Sequence, residues 1–470
     1  MWQLATGAAV VGLALSAGTV AAAGPWDSGQ RKAEREWAAS QDRTGGAHHE
    51  TPARDTPAPA PSAAGVLAAL GAPVPPPAKS GVADALGPLL YDDPTLGKIR
   101  TASVIDTATG TQVYGRGSRD PMTPASTVKI ATTFAALSAL GPDHRIATTV
   151  TAVPDGRRIT LVGGGDPTLG RAGLRALADD TARVLKDRGV GEAEISYDTT
   201  LYSGPELHPI SPNENISPVS ALMLDEGRLD GSRSGPAPRT GDPAGDAARA
   251  FAELLRERGI KTKGDPAGGK APKGAEPVAK TLSEPLSALV ERALTHSDND
   301  IAEALARQTA LASGQPASFE GAGRAVRSRL KKMELPLSGA RFADGSGLDR
   351  AGRISAALLA QLLARAADPA RPGLRPVLTG LPVAGFSGTL KSRYREESPG
   401  TGMVRAKTGT LTGVNTLAGT VVDADGRLLS FAFLSSGATT PDAAQSALDR
   451  LASTIANCGC APSEGRPGRK

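Results

Sequence analysis

The chain has 470 residues, a formal net charge of +5, 21% charged residues and only 3% aromatics. That length allows two or three domains, and their cores must be built from Ala, Leu, Val and Ile. The charges of both signs are interspersed, with no basic stripe carrying aromatics, which argues against a nucleic-acid partner. The five histidines, His48, His49, His144, His208 and His296, show no H-E-x-x-H or comparable ligand spacing, so a metallopeptidase is disfavoured and nothing calls for a metal or cofactor. His208-Pro209 reads as a turn and His296 as a plain loop residue. Cys458 and Cys460 are too few for a disulfide scaffold or zinc site; pairing within the C-G-C would be strained, and both the paired and the reduced state stay open.

Residues 1–25 are apolar, uncharged and end near Ala21-Ala22-Ala23, which predicts a signal peptide or membrane anchor. A positive n-region is missing, since no Lys or Arg precedes Arg31. Residues 26–80 turn polar and then Pro/Ala-rich (TPARDTPAPAPS, GAPVPPPAKS), the composition of an extended, disordered linker. The folded part is expected from Gly81. KIRTASVID and TQVYGR flank a turn signal at Thr107 to Gly110 and predict a hairpin. Ser126 to Ala139 predicts a helix with an apolar side. RIATTVTAV and RRITLVGG around Pro154-Asp155-Gly156 predict two strands, followed by a helix over Ala172 to Arg188, a strand in EAEISYD and a helix over Asp242 to Arg258. Gly264 to Ala275, rich in Gly, Pro and Lys, predicts a loop. Later helices are expected at the S-D-N motif, over Phe319 to Lys332 and over Ser355 to Ala366. Final strands (Thr410 to Val422, Arg427 to Leu434) and a helix (Pro441 to Ala456) complete the pattern. Strands at both ends with helices between predict an α/β fold, one antiparallel sheet against a helical cluster with the site between them. Residues 81–144 and 281–460 would form this discontinuous catalytic domain, residues 145–280 an inserted α/β accessory domain, and residues 461–470 a flexible basic tail.

Three motifs carry the chemistry. In Ser126-Thr127-Val128-Lys129 the nucleophile candidate and a lysine stand one helical turn apart on one face. A serine hydroxyl needs a base within reach, and lysine serves only if its pKa falls through burial or nearby positive charge; Lys407 is the expected source of that charge. Free N–H groups at the helix start suit an oxyanion hole. In Ser297-Asp298-Asn299, Ser297 is assigned proton relay and Asn299 a substrate amide, with Asp300 or Asn299 as N-cap and no chemistry for Asp298. In Lys407-Thr408-Gly409-Thr410, Lys407 and Thr408 are placed to bind a carboxylate, Gly409 to let substrate backbone approach closely, and the Thr410 N–H to act as second oxyanion donor beside that of Ser126. Each motif alone reads as a capping loop or exposed hairpin; their order and separation give the signal.

With these residues placed, the chain resembles the D-alanyl-D-alanine carboxypeptidase/endopeptidase family, the class C low-molecular-mass penicillin-binding proteins, from about Gly81 to Cys460. Gly163-Gly164-Gly165-Asp166-Pro167-Thr168-Leu169, Ile216-Ser217-Pro218-Val219-Ser220-Ala221-Leu222, Asp344-Gly345-Ser346-Gly347-Leu348 and Ser387-Gly388-Thr389-Leu390 are similar to further family segments. The resemblance implies a penicillin-binding-protein/serine β-lactamase-like transpeptidase fold. It also implies an extracytoplasmic, exported protein at the cell wall or membrane. The implied substrates are peptidoglycan stem peptides ending in D-Ala-D-Ala or D-Ala cross-links, and β-lactams would acylate Ser126. The insert is short for the family, which implies no full third domain. Asp166 is left with a structural turn role. Two other readings stay open: a β-lactam- or peptidoglycan-sensing wall protein without turnover, and a serine β-lactamase. The latter needs a water-activating glutamate, for which Glu334-Leu335-Pro336-Leu337-Ser338 is the nearest approach and lacks the asparagine.

Overall fold

The computed structural model describes residues 79–458, apart from Pro212 and residues 395–397. The expected leader, the linker up to residue 78, Cys460 and the tail lie outside the described residues. Helix α1 (Lys79–Asp92) comes first, where the sequence predicted only the linker's end and the domain's start. Strands β1 (Ile99–Asp106) and β2 (Gln112–Arg116) form the expected antiparallel hairpin. Its turn is fixed by the Asp106 carboxylate, which accepts the N–H groups of Ala108 and Thr109 at 2.9 and 3.0 Å. The short β3 (Pro121–Met122) then leads into a 3-10 turn, Ala125–Thr127, and helix α2 (Val128–Leu140). The predicted helix therefore begins two residues later than Ser126.

Next come β4 (Ala147–Ala152), β5 (Arg158–Val162), α3 (Arg171–Asp187), β6 (Glu192–Asp198), α4 (Pro243–Glu257), β7 (Lys261–Gly268) and β8 (Glu276–Leu282). They build a five-stranded sheet in the order β7-β6-β5-β4-β8, parallel from β5 to β7. The aliphatic faces of α3 and α4 pack on it around Phe251, Leu161 and Ile195. The chain enters and leaves this unit at one point, where Ser283 N–H donates to Ile146 O at 2.8 Å. The loop expected over Gly264 to Ala275 is shortened from its N-terminal side, because β7 runs on to Gly268. β7 is an exposed edge strand with Gly264 at φ +61° and a register shift opposite it; without a buried face it leaves no alternation to read.

The remainder is α5 (Leu286–Thr295), α6 (Asn299–Ala312), α7 (Phe319–Lys332), β9 (Ile354–Ser355), α8 (Ala356–Ala366), α9 (Pro376–Thr379), β10 (Arg405–Leu411), β11 (Val414–Val422), β12 (Leu428–Ser436) and α10 (Pro441–Asn457). Helix α5 had not been predicted. The first sheet is antiparallel throughout, in the order β10-β11-β12-β1-β2. β11 and β12 are buried on both faces, since α8 covers one side, with α2, α5 and α6 in the same core, and α10, with α1 beside it, covers the other. β10 is left at the sheet edge beside the 3-10 turn Ala125–Thr127.

Helix α2 is buried from Val128 to Leu137, and Phe134 on it is wholly enclosed in the helical core. Phe134→Ala is expected to lower unfolding free energy by about 3–5 kcal/mol, read from urea titration; an unchanged midpoint would contradict this core assignment.

Candidate active site

The nucleophile segment is held by close backbone packing. Ala125 adopts φ +48°, a left-handed conformation that costs a non-glycine residue energy. Two glycines let the chain press against it. A Cβ on Gly347 would fall 2.0 Å from Ala125 O, and one on Gly409 would meet Thr416 Oγ1 at 2.2 Å and Pro124 O at 2.9 Å. Gly409 is therefore required by the nucleophile segment itself, where the sequence had suggested room for substrate backbone. Thr127 and Thr416 hydroxyls both donate to Pro124 O, at 2.6 and 2.9 Å.

Ser126 is half-buried and faces Lys129, whose Nζ lies 3.0 Å from its Oγ. Lys129 is fully buried. Its Nζ also donates to Asn299 Oδ1 and to the Ser346 carbonyl, both at 2.7 Å. The Asn299 amide is oriented by its Nδ2, which donates to Asn215 O at 2.8 Å, so Oδ1 must face the lysine. Neither Asn299 Oδ1 nor a carbonyl oxygen donates a proton. A neutral Lys129 amine would spend its two N–H bonds on them and turn its lone pair to the Ser126 hydroxyl. Burial drives the Lys129 pKa down to about 8, against the opposing pull of Asp344, Asp298, Glu303 and Asp300. Of the two causes the sequence offered, burial and the charge of Lys407, burial is the main one. Lys407 is itself fully buried, and burial, followed by the charges of Lys129 and Arg393, holds its own pKa well below the usual lysine range.

Lys407 Nζ donates to Thr408 O at 2.8 Å, and the open cavity beside Ser126 is lined by Thr408, Thr410 and Thr389 but not by Lys407. The Thr389 and Thr408 hydroxyls share a hydrogen bond of 2.8 Å. Ala406 N–H donates outward to Pro382 O at 2.9 Å; by strand alternation the N–H groups of Thr408 and Thr410 also point away from β11. Ser297 stands at φ +58° and lines the same cavity, its hydroxyl without a protein partner among the described residues. Asp298 is the N-cap of α6, accepting the Ile301 N–H at 3.0 Å; this replaces the expected Asp300 or Asn299 cap. The cavity has a volume of about 240 Å³. A larger one, about 920 Å³, lies between α1 and α10 and contains none of these groups.

Sequence reasoning missed the wall supplied by residues 215–239. Asn215, Arg228 and Arg239 line the cavity, and behind them Glu226, Asp298 and Asp300 are buried among arginines. Arg228 Nε meets Glu226 at 2.8 Å, Arg239 meets Asp300 at 2.9 Å, and Arg292 pairs with Glu226. With Asp298 Oδ2 4.0 Å from both Arg228 and Arg292, arginines face every member of an acidic trio that would otherwise suit a cation. No spacing signal announces them. His208 was read as part of a turn; its side chain is buried, with Nε2 3.0 Å from Asp344 Oδ2. His296 is an exposed loop residue at the cavity rim. Asp166 accepts both the N–H and the hydroxyl of Thr168, at 2.8 and 2.6 Å, in a local turn. Glu334 does not line the cavity.

Ser126, Lys129, Asn299 and the strand carrying Lys407 thus converge on one cleft between an antiparallel sheet and helices, an arrangement that fits an active-site-serine acyl-transferase. A family profile described as "D-Ala-D-Ala carboxypeptidase 3 (S13) family" matches residues 82–237 and 230–457. The chain is 37% identical over 385 residues to carboxypeptidase DacB of Mycolicibacterium smegmatis, covering 78% of this chain and 82% of the relative. It is 28% identical over 436 residues to a D-alanyl-D-alanine carboxypeptidase of Actinomadura sp., covering 75% and 80%. The crystal structure of penicillin binding protein 4 from Haemophilus influenzae superposes with a TM-score of 0.66 at 23% identity, covering 78% of this chain and 97% of that one. The chain belongs to the D-Ala-D-Ala carboxypeptidase 3 (S13) family, and its α/β fold is that of the penicillin-binding proteins.

Gly409→Ala is expected to displace Pro124 and Ala125 and slow acylation of the protein by benzylpenicillin about 100-fold, with the circular dichroism spectrum retained. Acylation at the parental rate would contradict the packing account.

Proposed function

We propose that the protein hydrolyses peptidoglycan stem peptides as a serine-type D-Ala-D-Ala carboxypeptidase through an acyl-enzyme on Ser126. The observation that carries this reading is the hydrogen-bond set of Lys129, which fixes two acceptors and leaves the third direction for Ser126 Oγ. Lys129 takes the hydroxyl proton as Oγ attacks the penultimate D-alanine carbonyl. The Ser126 and Thr410 N–H groups hold the resulting oxyanion. The C–N bond breaks, and Ser297 relays the proton to the departing D-alanine amine. Water then attacks the ester, Lys129 taking its proton and returning it to Ser126 Oγ as the C–O bond breaks, which restores the hydroxyl and the neutral amine.

Asn299 orients Lys129 and faces the substrate amide. The hydroxyls of Thr408 and Thr389 receive the terminal carboxylate, with the buried Lys407 supplying positive potential behind them. Gly409 gives the nucleophile segment its room. Residues 81–144 and 281–460 act as the catalytic domain and 145–280 as the accessory domain, whose loop closes one wall of the cleft. β-Lactams acylate the same serine. The protein acts outside the cytoplasm at the wall, and residues 1–25 deliver it there as a signal peptide or keep it at the membrane as an anchor. Among the described residues no helix is long and apolar enough to cross a membrane.

Incubation with a stem pentapeptide ending in D-Ala-D-Ala is expected to release D-alanine, and Ser126→Ala to abolish the release; a D-alanine yield from Ser126→Ala equal to the parent's would overturn the assignment. A cross-linked dimer offered in parallel separates endopeptidase from carboxypeptidase action. Because the base must be neutral, acylation should rise with pH about a midpoint near 8; a rate constant flat through that range would contradict Lys129 as base.

A further inference from the structure

Behind Lys129, on the side away from the cavity, two carboxylates are buried together. Asp344 is 5% exposed and Glu303 1%. Donors occupy all of their oxygens. Glu303 Oε1 accepts the N–H groups of Gly345 and Ser346 at 3.0 and 2.9 Å, and Oε2 that of Gly345 at 3.1 Å. Asp344 Oδ2 accepts from Ser346 Oγ and Asp349 N–H, both at 2.9 Å, and lies 3.0 Å from His208 Nε2; Oδ1 accepts Gly347 N–H at 3.0 Å. His208 Nδ1 receives the Ile210 N–H at 3.3 Å, which places the ring proton on Nε2. A cation at these three side chains would have to displace this whole set of donors, so the cluster is a clamp on the backbone and not a metal site.

The clamped segment is docked on α2 by two carbonyls. That of Gly345 accepts Thr132 Oγ1 at 2.8 Å, and that of Ser346 accepts Lys129 Nζ at 2.7 Å. Glu303 lies one turn after Asn299 on α6, so one helix face supplies both the Asn299 acceptor and the anchor of the Ser346 acceptor. The charged groups facing Lys129 are Asp298, Asp300 and Glu303 from α6, Asp344 from the loop and Lys407 from β10. Around the clamp itself stand His208, Asp349, Arg307 and Glu206. The carboxylates favour the charged amine and burial opposes it; of the two in the clamp, burial and then Asp344 push Glu303 up, whereas Asp344 is held below the usual carboxylate range, its burial outweighed by His208 and the Asp349 N–H.

We propose that Glu303 and Asp344 are positioning residues for the base: they lock the 344–349 loop so that the Ser346 carbonyl orients Lys129 Nζ, with the Asp344 carboxylate held behind the amine. This rests on the reading of Lys129 as the base. Neither carboxylate lines the cavity or touches Ser126, so both act through the lysine.

The test is the pH dependence of benzylpenicillin acylation in the full-length protein and in Asp344→Asn, with thermal unfolding recorded for each. Removing a negative charge makes the ammonium less stable, so the midpoint of the rising limb should fall by about half a pH unit or more, a roughly threefold gain in relative rate on that limb. A midpoint unmoved by the substitution, whatever happens to the plateau, overturns the proposal, because a purely structural role lowers the rate equally at every pH. If Asp344→Asn does not fold, Asp344→Ser, which also removes the charge, carries the same expectation and the same refutation. A parent protein with no rising limb would instead sink the reading of Lys129 as base, which keeps the two failures apart.

Discussion

A lysine ammonium with no exposure to solvent must find every partner inside the protein. Lys129 finds three, one from its own helical turn, one from α6 and one from the 344–349 loop. The rest of the catalytic half can be read as the means of holding those three elements in register. The first sheet backs α2 and α8, β10 lies beside the nucleophile turn, and Thr416 and Thr127 fasten Pro124 from both sides. Burial keeps the amine from remaining permanently charged, and four carboxylates keep it from losing its proton too readily. The balance brings the amine's pKa to about 8, within the range in which the proposed base would exchange a proton.

Backbone strain gathers at the same place. Ala125 precedes the nucleophile, Ser297 opens the S-D-N motif, and Asp225 and Glu226 support the wall opposite; all four have positive φ without being glycine. Such conformations persist only where surrounding contacts over-determine them. Here those contacts come in part from the inserted unit. Its Asn215 carbonyl orients the Asn299 amide, its Ser217 N–H is accepted by Asp300 at 3.0 Å, and its Arg228 and Arg239 enclose the acids at the start of α6. The insert is thus tied into the cleft as well as attached beside it.

What the sequence revealed depended on the range of the interaction. Ser126 and Lys129 are three residues apart, so helical geometry alone places them on one face, and the β1–β2 and β4–β5 hairpins announce themselves through local turn signals. The widely separated S-D-N and K-T-G motifs were legible only as an ordered set. Contacts between distant residues with no motif were not legible: His208 meets Asp344 across 136 positions and Asn299 meets Asn215 across 84. His208-Pro209 looks like a turn in one dimension and is a core pair in three. Boundaries shifted where a tertiary contact outweighed local preference, as at the 3-10 entry to α2, and the exposed β7 lacked the alternation that a buried face imposes.

The proposed chemistry requires Ser126 to be the residue that forms a covalent bond. Intact-protein mass spectrometry after incubation with benzylpenicillin, followed by peptide mapping beside Ser126→Ala, tests this directly. One drug mass on the parent, mapped to the peptide containing Ser126 and absent from the variant, is the predicted result. An adduct on another residue, or none on the folded parent with the drug left intact, would contradict it.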